Sequence, residues 1–262
     1  MTSRSSAGYV RRTSPGHGVL YRRGATATRM PNAIIVGASS GIGRALAREL
    51  AGAYDLGLAA RRTDRLEAVG EDVGGAHVAR IDVTEPDARE RFDDLVESMG
   101  GVDLVVVSSG IGRPNPDLAW TDERDTVDVN VRGFSAIATA AVQRFEASGG
   151  GHLVGISSVA AEIGDPDMPA YGASKAYVSR YLEGLRYRSG DAVVVTDVRP
   201  GYVDTPMAPE ADRFWECSPE TAARGIARAI AREKGVAYVT RRWWLVSKLL
   251  AVLPDRYRAD AA

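Results

Sequence analysis

Ala33-Ile34-Ile35-Val36-Gly37-Ala38-Ser39-Ser40-Gly41-Ile42-Gly43 is the stretch that decides how this 262-residue chain folds. Its first four residues are apolar and largely β-branched, which suits a buried strand. The glycines that follow permit a tight turn and close backbone approach, and helical spacing begins near Arg44. A strand that feeds such a turn and then a helix collects free N–H groups and the positive end of a helix dipole at one point, where a phosphate binds. A glycine cluster alone is as often a plain turn. Its place between the first strand and a helix favours a dinucleotide site built from Gly37, Ser39, Ser40, Gly41, Ile42 and Gly43.

Outward from this turn, short β-branched runs recur at Ala33–Val36, Leu56–Ala60, His77–Ile81, Leu104–Val107, Leu153–Ile156, Val193–Val198 and Val236–Val239. Between them Arg44–Leu50, Pro86–Met99, Thr126–Phe145, Tyr171–Tyr187 and Pro219–Ala231 carry helical spacing. Strand and helix in alternation predict an α/β fold, a parallel sheet covered on both faces and wound in both directions from its centre. Right-handed crossovers gather the strand ends around one crevice, the ligand site of such sheets.

The composition, 45% apolar, allows one substantial core, assigned to residues 31–240. Residues 1–30 hold six arginines and no acid, and read as a disordered extension; an organelle presequence or a nucleic-acid arm is the other reading, and no nucleic-acid partner is expected. No apolar run approaches the ~20 residues of a membrane span. Cys217, the single cysteine, excludes an internal disulfide and argues against a cysteine-based metal site, so a reducing, cytoplasmic setting and no metal are expected. The end of the chain, 241–262, is apolar with basic flanks and the adjacent Trp243 and Trp244. Residues 241–254 could pack on their own domain, on a second copy, or as a peripheral contact in a membrane interface.

The second strand candidate ends in Ala60-Arg61-Arg62. A carboxylate there would bind a ribose 2′-hydroxyl and repel a 2′-phosphate, whereas an arginine binds the phosphate with charge-assisted hydrogen bonds. NADP(H) is therefore favoured over NAD(H), with Arg61 as the candidate; the alternative is a solvated pair at a helix start. Further on, Tyr171 and Lys175 lie four residues apart on one helical face, so an ammonium could favour the phenolate of a group that otherwise titrates near 10. Ser157 and Ser158 end the fifth strand candidate, and Ser158 is the better candidate to hydrogen-bond a substrate oxygen.

Together, the glycine turn, the 13-residue interval from Ser158 to Tyr171 and the tyrosine–lysine spacing resemble the short-chain dehydrogenase/reductase family from about Ala33 to Thr205. The resemblance implies a Rossmann-type domain with a seven-stranded parallel sheet in the order 3-2-1-4-5-6-7. It implies a catalytic group of Ser158, Tyr171, Lys175 and Asn130, in which Lys175 also binds the nicotinamide ribose and Asn130 holds a proton-relaying water. It implies an adenine contact at Asp82 and Val83, a nicotinamide contact along Pro200, Gly201, Val203 and Thr205, and a homo-oligomer. For Asp82 a strand-end cap, and for Thr205 a loop hydroxyl, remain the local alternatives. Two departures stand out: Val36 replaces the usual threonine, and Val107-Ser108-Ser109-Gly110 replaces an Asn-Asn-Ala-Gly stretch, leaving Ser109 and Gly110 to border the cofactor. That change bears on cofactor affinity more than on chemistry.

These residues point to an NADP(H)-dependent oxidoreductase acting on a carbonyl or secondary alcohol, with Tyr171 as general acid and base. A lipidic substrate is a further possibility, because similar tails occur in some family members that reduce lipid-linked sugars. Met207–Cys217 is the expected lid, with Phe214 and Trp215 either lining a pocket or packing beneath the loop. The alternatives are a nucleotide sensor without turnover, which would not need the tyrosine–lysine pair, and a sugar-nucleotide epimerase or lyase. The latter commonly carries a larger C-terminal substrate region than the roughly 60 residues that follow Gly201 here.

Overall fold

The structure, a computed structural model, describes residues 29–205, 207, 215–240 and 242–245. Most of the N-terminal extension, Phe214 of the expected lid, and all of 241–262 except 242–245 lie outside the described residues. Seven strands form one sheet: β1 (Asn32–Val36), β2 (Asp55–Ala60), β3 (His77–Arg80), β4 (Leu104–Val107), β5 (Gly151–Ile156), β6 (Val193–Pro200) and β7 (Val236–Val239). They are ordered β3-β2-β1-β4-β5-β6-β7, and every pairing is parallel. All seven expected strands are present.

The helices are α1 (Gly41–Leu50), α2 (Thr63–Asp72), α3 (Ala88–Ser98), α4 (Trp120–Val127), α5 (Phe134–Ser148), α6 (Pro169–Ser189) and α7 (Pro219–Ala231). Alternation along β1 shows how the core divides. Ala33 and Ile35 face α1, α2 and α7, whereas Ile34 and Val36 face α3, α5 and α6. Residues such as Ile34, Leu58, Phe92 and Phe145 are wholly buried, each worth about 1.5–3 kcal/mol of transfer free energy.

Several boundaries differ from the expected ones, and three have clear local reasons. The first helix begins at Gly41 instead of near Arg44, because Ser40 is its extended N-cap. Helix α6 starts at Pro169, whose fixed φ suits a first helical position. The single helix expected over Thr126–Phe145 is α4 and α5 joined by a π-helical turn, Asp128–Gly133. A wider turn of this kind often accompanies a functional side chain, and here it carries Asn130.

Candidate active site

The carboxyl ends of the strands open into one cleft of about 910 Å³. Its floor includes the β1–α1 turn, the ends of β2, β4 and β5, the start of α6, and the Pro200–Thr205 segment. Every residue proposed from the sequence lines it except Gly43 and Asn130, which sit just behind the lining.

At one end, Gly37 has φ +95° and donates its N–H to the Ala59 carbonyl at 2.7 Å. An added Cβ there would stand 2.5 Å from the Ser109 backbone nitrogen, so only glycine lets the β1 and β4 turns meet. The Ser40 side chain makes no capping bond, and the first turn of α1 contains no acid. The positive helix end therefore faces the cleft without an internal carboxylate to neutralise it. The two arginines separate in space. Arg62 reaches over the turn, its Nη2 3.4 Å from Ser39 Oγ and 3.5 Å from Ser40 Oγ. Arg61 leans the other way, its Nε 3.9 Å from Asp82 Oδ2. Asp82 Oδ1 accepts from the Thr84 N–H (3.0 Å) and hydroxyl (2.8 Å), so this residue caps its own strand end while lining the cleft beside Val83. Ser109 Oγ is buried and has no hydrogen-bond partner among the described residues.

At the other end, Tyr171 and Lys175 lie one turn apart on α6, with Lys175 Nζ 5.6 Å from the Tyr171 ring centre. Lys175 is buried and donates to the Ile156 carbonyl at 3.0 Å. Asn130 is buried as well. Its Nδ2 donates to Ile111 O (2.8 Å) and Ser174 Oγ (2.9 Å), and its Oδ1 accepts from Ile111 N–H (2.8 Å). That side chain thus clamps the loop after β4 to α6. Ser158 faces the Tyr171 phenol, and its Oγ also accepts from the Ala160 N–H at 3.1 Å, capping the short 3₁₀ turn Val159–Glu162. Ser157 points inwards instead, donating to Asp197 and Val198 O.

The electrostatics correct one sequence expectation. Lys175 was expected to pull the phenol down, but burial pushes the Tyr171 phenol up, with Ser158 opposing the rise and the neighbouring Tyr202 adding to it. Burial also lowers the Lys175 ammonium to about 8, against the pull of Asp197. Tyr171 is therefore a neutral hydrogen-bond donor at neutral pH, and the ammonium beside it is close to losing its own proton.

Beyond Tyr171 the cleft is lined by Met168, Tyr202, Met207, Trp215 and Trp243, together with Asp165 and Asp167. The indole of Trp243 covers Gly201 so closely that an added Cβ would collide with it. Edge contacts join Trp243 to Tyr202 (5.6 Å) and Trp215 (6.0 Å). Trp243 is 9% exposed, while the adjacent Trp244 and Leu245 are 51% and 65% exposed. This segment therefore contributes a wall to the site, a role no local sequence signal announces.

A serine, a tyrosine and a lysine gathered at the carboxyl edge of a Rossmann-type sheet, next to a glycine turn, form an arrangement suited to an oxidoreductase. The family described as short chain dehydrogenase matches residues 31–214. An uncharacterised oxidoreductase of Mycobacterium tuberculosis is 35% identical over 240 residues, covering 85% of this chain and 94% of the relative. A short-chain dehydrogenase from Burkholderia cenocepacia in complex with NADP has a similar structure, with TM-score 0.76 and 23% identity over 89% of this chain and 98% of that one. One from Sphingobium yanoikuyae in complex with NADPH gives TM-score 0.73 and 23% identity over 86% and 97%. The chain belongs to the short-chain dehydrogenase family and is an oxidoreductase of that family. No described helix is long and apolar enough to cross a membrane.

Proposed function

We propose that the protein is an NADP(H)-dependent oxidoreductase that interconverts a carbonyl and a secondary alcohol, with Tyr171 as general acid and base. The observation that carries this reading is the meeting of Ser158, Tyr171 and Lys175 at the opposite end of the cleft from the glycine turn. The cleft fits a dinucleotide on its own terms. Glycine at 37 lets the β1 and β4 turns meet at the cleft, Ser109 lines it with a buried hydroxyl that has no partner among the described residues, and the α1 terminus and Arg62 offer positive charge for phosphates. Arg61 and Arg62, with Ala60 in place of an acid, favour the 2′-phosphorylated form.

When bound, the nicotinamide supplies or accepts a hydride at its C4 position. The protein's own task is the proton. In reduction, the Tyr171 hydroxyl gives its proton to the substrate oxygen, and in oxidation it takes the proton back. Ser158 donates a hydrogen bond to the same oxygen and stabilises charge that develops there. Lys175, held by Ile156 O, stabilises the phenolate that Tyr171 leaves behind. Asn130 braces the site. Both Nδ2 hydrogens are engaged, with Ile111 O and Ser174 Oγ, while Oδ1 accepts from Ile111 N–H and keeps a second lone pair for the water relay that family resemblance implies. The aromatic wall of Tyr202, Trp215 and Trp243 favours an apolar substrate over a small hydrophilic one.

Replacing Tyr171 by Phe tests the assignment. General acid–base catalysis is worth about 10²–10⁴-fold, so kcat for ketone reduction should fall by that order. NADPH affinity by calorimetry should change by less than about twofold, since that substitution takes only the hydroxyl from the pocket. Full activity in the variant would overturn the mechanism.

A further inference from the structure

We propose that Asp197 is a positioning residue of the site: its buried carboxylate, held by Arg199, is the nearby anion that favours a charged Lys175 and, through Ser157, the anchor of the serine corner. The inference rests on the reading above only in giving Lys175 a catalytic task. Asp197 lies on β6 and is 1% exposed. One of its oxygens accepts from Ser157 Oγ, and the other accepts from Arg199 Nε at 2.8 Å. Arg199 continues the chain to Glu162 and to the Tyr238 hydroxyl (3.1 Å), which in turn donates to Glu162 at 3.2 Å. Glu162 closes the 3₁₀ turn that begins just after Ser158, so the network ties β5, that turn, β6 and β7 together behind the catalytic serine.

Charge balance extends this link to Lys175. The ammonium is held on Ile156 O, and Ile156 pairs across the sheet with Val198, next to Asp197. Among the described residues no carboxylate lies within ion-pair distance of Lys175, and Asp197 is the anion whose field favours its charged form. The set then holds two anions, the buried Asp197 and the partly exposed Glu162, and two cations, the partly exposed Arg199 and the buried Lys175. It is neutral only while Lys175 keeps its proton. Tyr171 and Tyr238 are the phenols facing the set, both pushed up by burial and therefore uncharged at neutral pH. Arg180, which also faces Glu162 and Arg199, is paired with Glu183 at the surface and adds no net charge. An ammonium in such a place, without its counter-charge, would shed its proton to escape the cost of burial.

The network also explains why Ser157, adjacent to Ser158 and identical in chemistry, is not the residue that faces Tyr171. Its hydroxyl is spent on Asp197 and Val198 O.

The test follows Lys175 directly and needs neither cofactor nor substrate, so its result is separate from whether the enzyme reading holds. The chain has three lysines, Lys175, Lys234 and Lys248, and ¹⁵N-lysine labelling gives a spectrum that Lys234→Arg and Lys248→Arg assign. Wild-type Lys175 should titrate near 8. Asp197→Asn should lower its midpoint by about one pH unit or more, and the milder Glu162→Gln, at a partly exposed site, by less. Arg199→Met removes a cation and should move the midpoint upwards. A purely packing role predicts no such opposition of sign. Unchanged midpoints, or shifts in the same direction for the Asp197 and Arg199 variants, would overturn the proposal. If Asp197→Asn does not fold, Arg199→Met decides it: freeing Asp197 from its guanidinium should raise the Lys175 midpoint, and an unchanged or lowered midpoint would overturn the proposal.

Discussion

The two arginines after β2 make separable predictions about cofactor choice. Arg62 has its guanidinium over the phosphate turn, within 3.5 Å of both serine hydroxyls. Arg61 has a side chain 60% exposed and leans 3.9 Å from Asp82. Both arginines are exposed, so position separates them: a charge-assisted hydrogen bond made directly to a phosphate is worth about 1.5–3 kcal/mol, whereas a screened contact from a side chain turned towards Asp82 is worth at most about 1 kcal/mol. Arg62→Ala should therefore weaken NADPH binding by roughly 10- to 150-fold, and Arg61→Ala by no more than about fivefold. NADH affinity should fall less than NADPH affinity at either position, because NADH shares the pyrophosphate but lacks the 2′-phosphate that these cations would read. Calorimetry with NADPH and NADH on the wild type and both variants gives all six numbers. Equal losses for the two cofactors would refute 2′-phosphate recognition, and a larger loss at Arg61 would refute the division of labour.

Other substitutions test other parts of the structure. Gly43→Ala would drive a Cβ into the Gly37 carbonyl, a backbone clash no rotamer can relieve; about 1–3 kcal/mol should be lost, with melting falling several degrees and NADPH and NADH affinities dropping together. Matched losses would separate this damage from that at Arg62, and an unaffected melting temperature would contradict the packing. Trp243→Ala should raise KM for an aromatic ketone about 3- to 10-fold while leaving a small aliphatic ketone and NADPH affinity nearly unchanged; equal KM effects on both ketones would remove Trp243 from the substrate wall. His152 is lowered from 6.5 to about 4 by burial, so the unfolded chain takes up its proton first as pH falls. Stability should thus decline between pH 6.5 and 4, by about 3 kcal/mol from this residue. Urea midpoints should show a smaller acid loss in His152→Gln, and an identical loss in both proteins would exclude the histidine as its source.

Much of the fold was legible because its signals are local. The β1 run, the glycine turn and the α1 pattern lie within 20 residues, and Tyr171 and Lys175 share a helix face by spacing alone. What escaped depends on geometry between elements. Arg61 and Arg62 are chemically equal in a sequence, and only the corner into α2, where Arg62 is the N-cap with φ −104°, sends them to different partners. The π turn around Asn130 has no compositional mark, so the run from Thr126 to Phe145 reads as one ordinary helix. Trp243 meets Gly201 across 42 residues of chain, which no periodicity can indicate.

Asp197 and Arg199 did leave a readable trace. In a strand, residues two apart point to the same face, so Asp197-Val198-Arg199 within an otherwise apolar run places two opposite charges side by side in the interior. Buried charges persist only where partners satisfy them, and a self-paired Asp and Arg would still leave donors and acceptors over. Those extra groups had to come from neighbouring strands and their loops. In the structure they come from Ser157, Glu162 and Tyr238, which surround the serine corner. A charged pair inside a parallel strand that leads into the Pro200-Gly201 bend was thus evidence for a polar structure beneath the site, and its balance with Lys175 joins the core of the sheet to the chemistry at its edge.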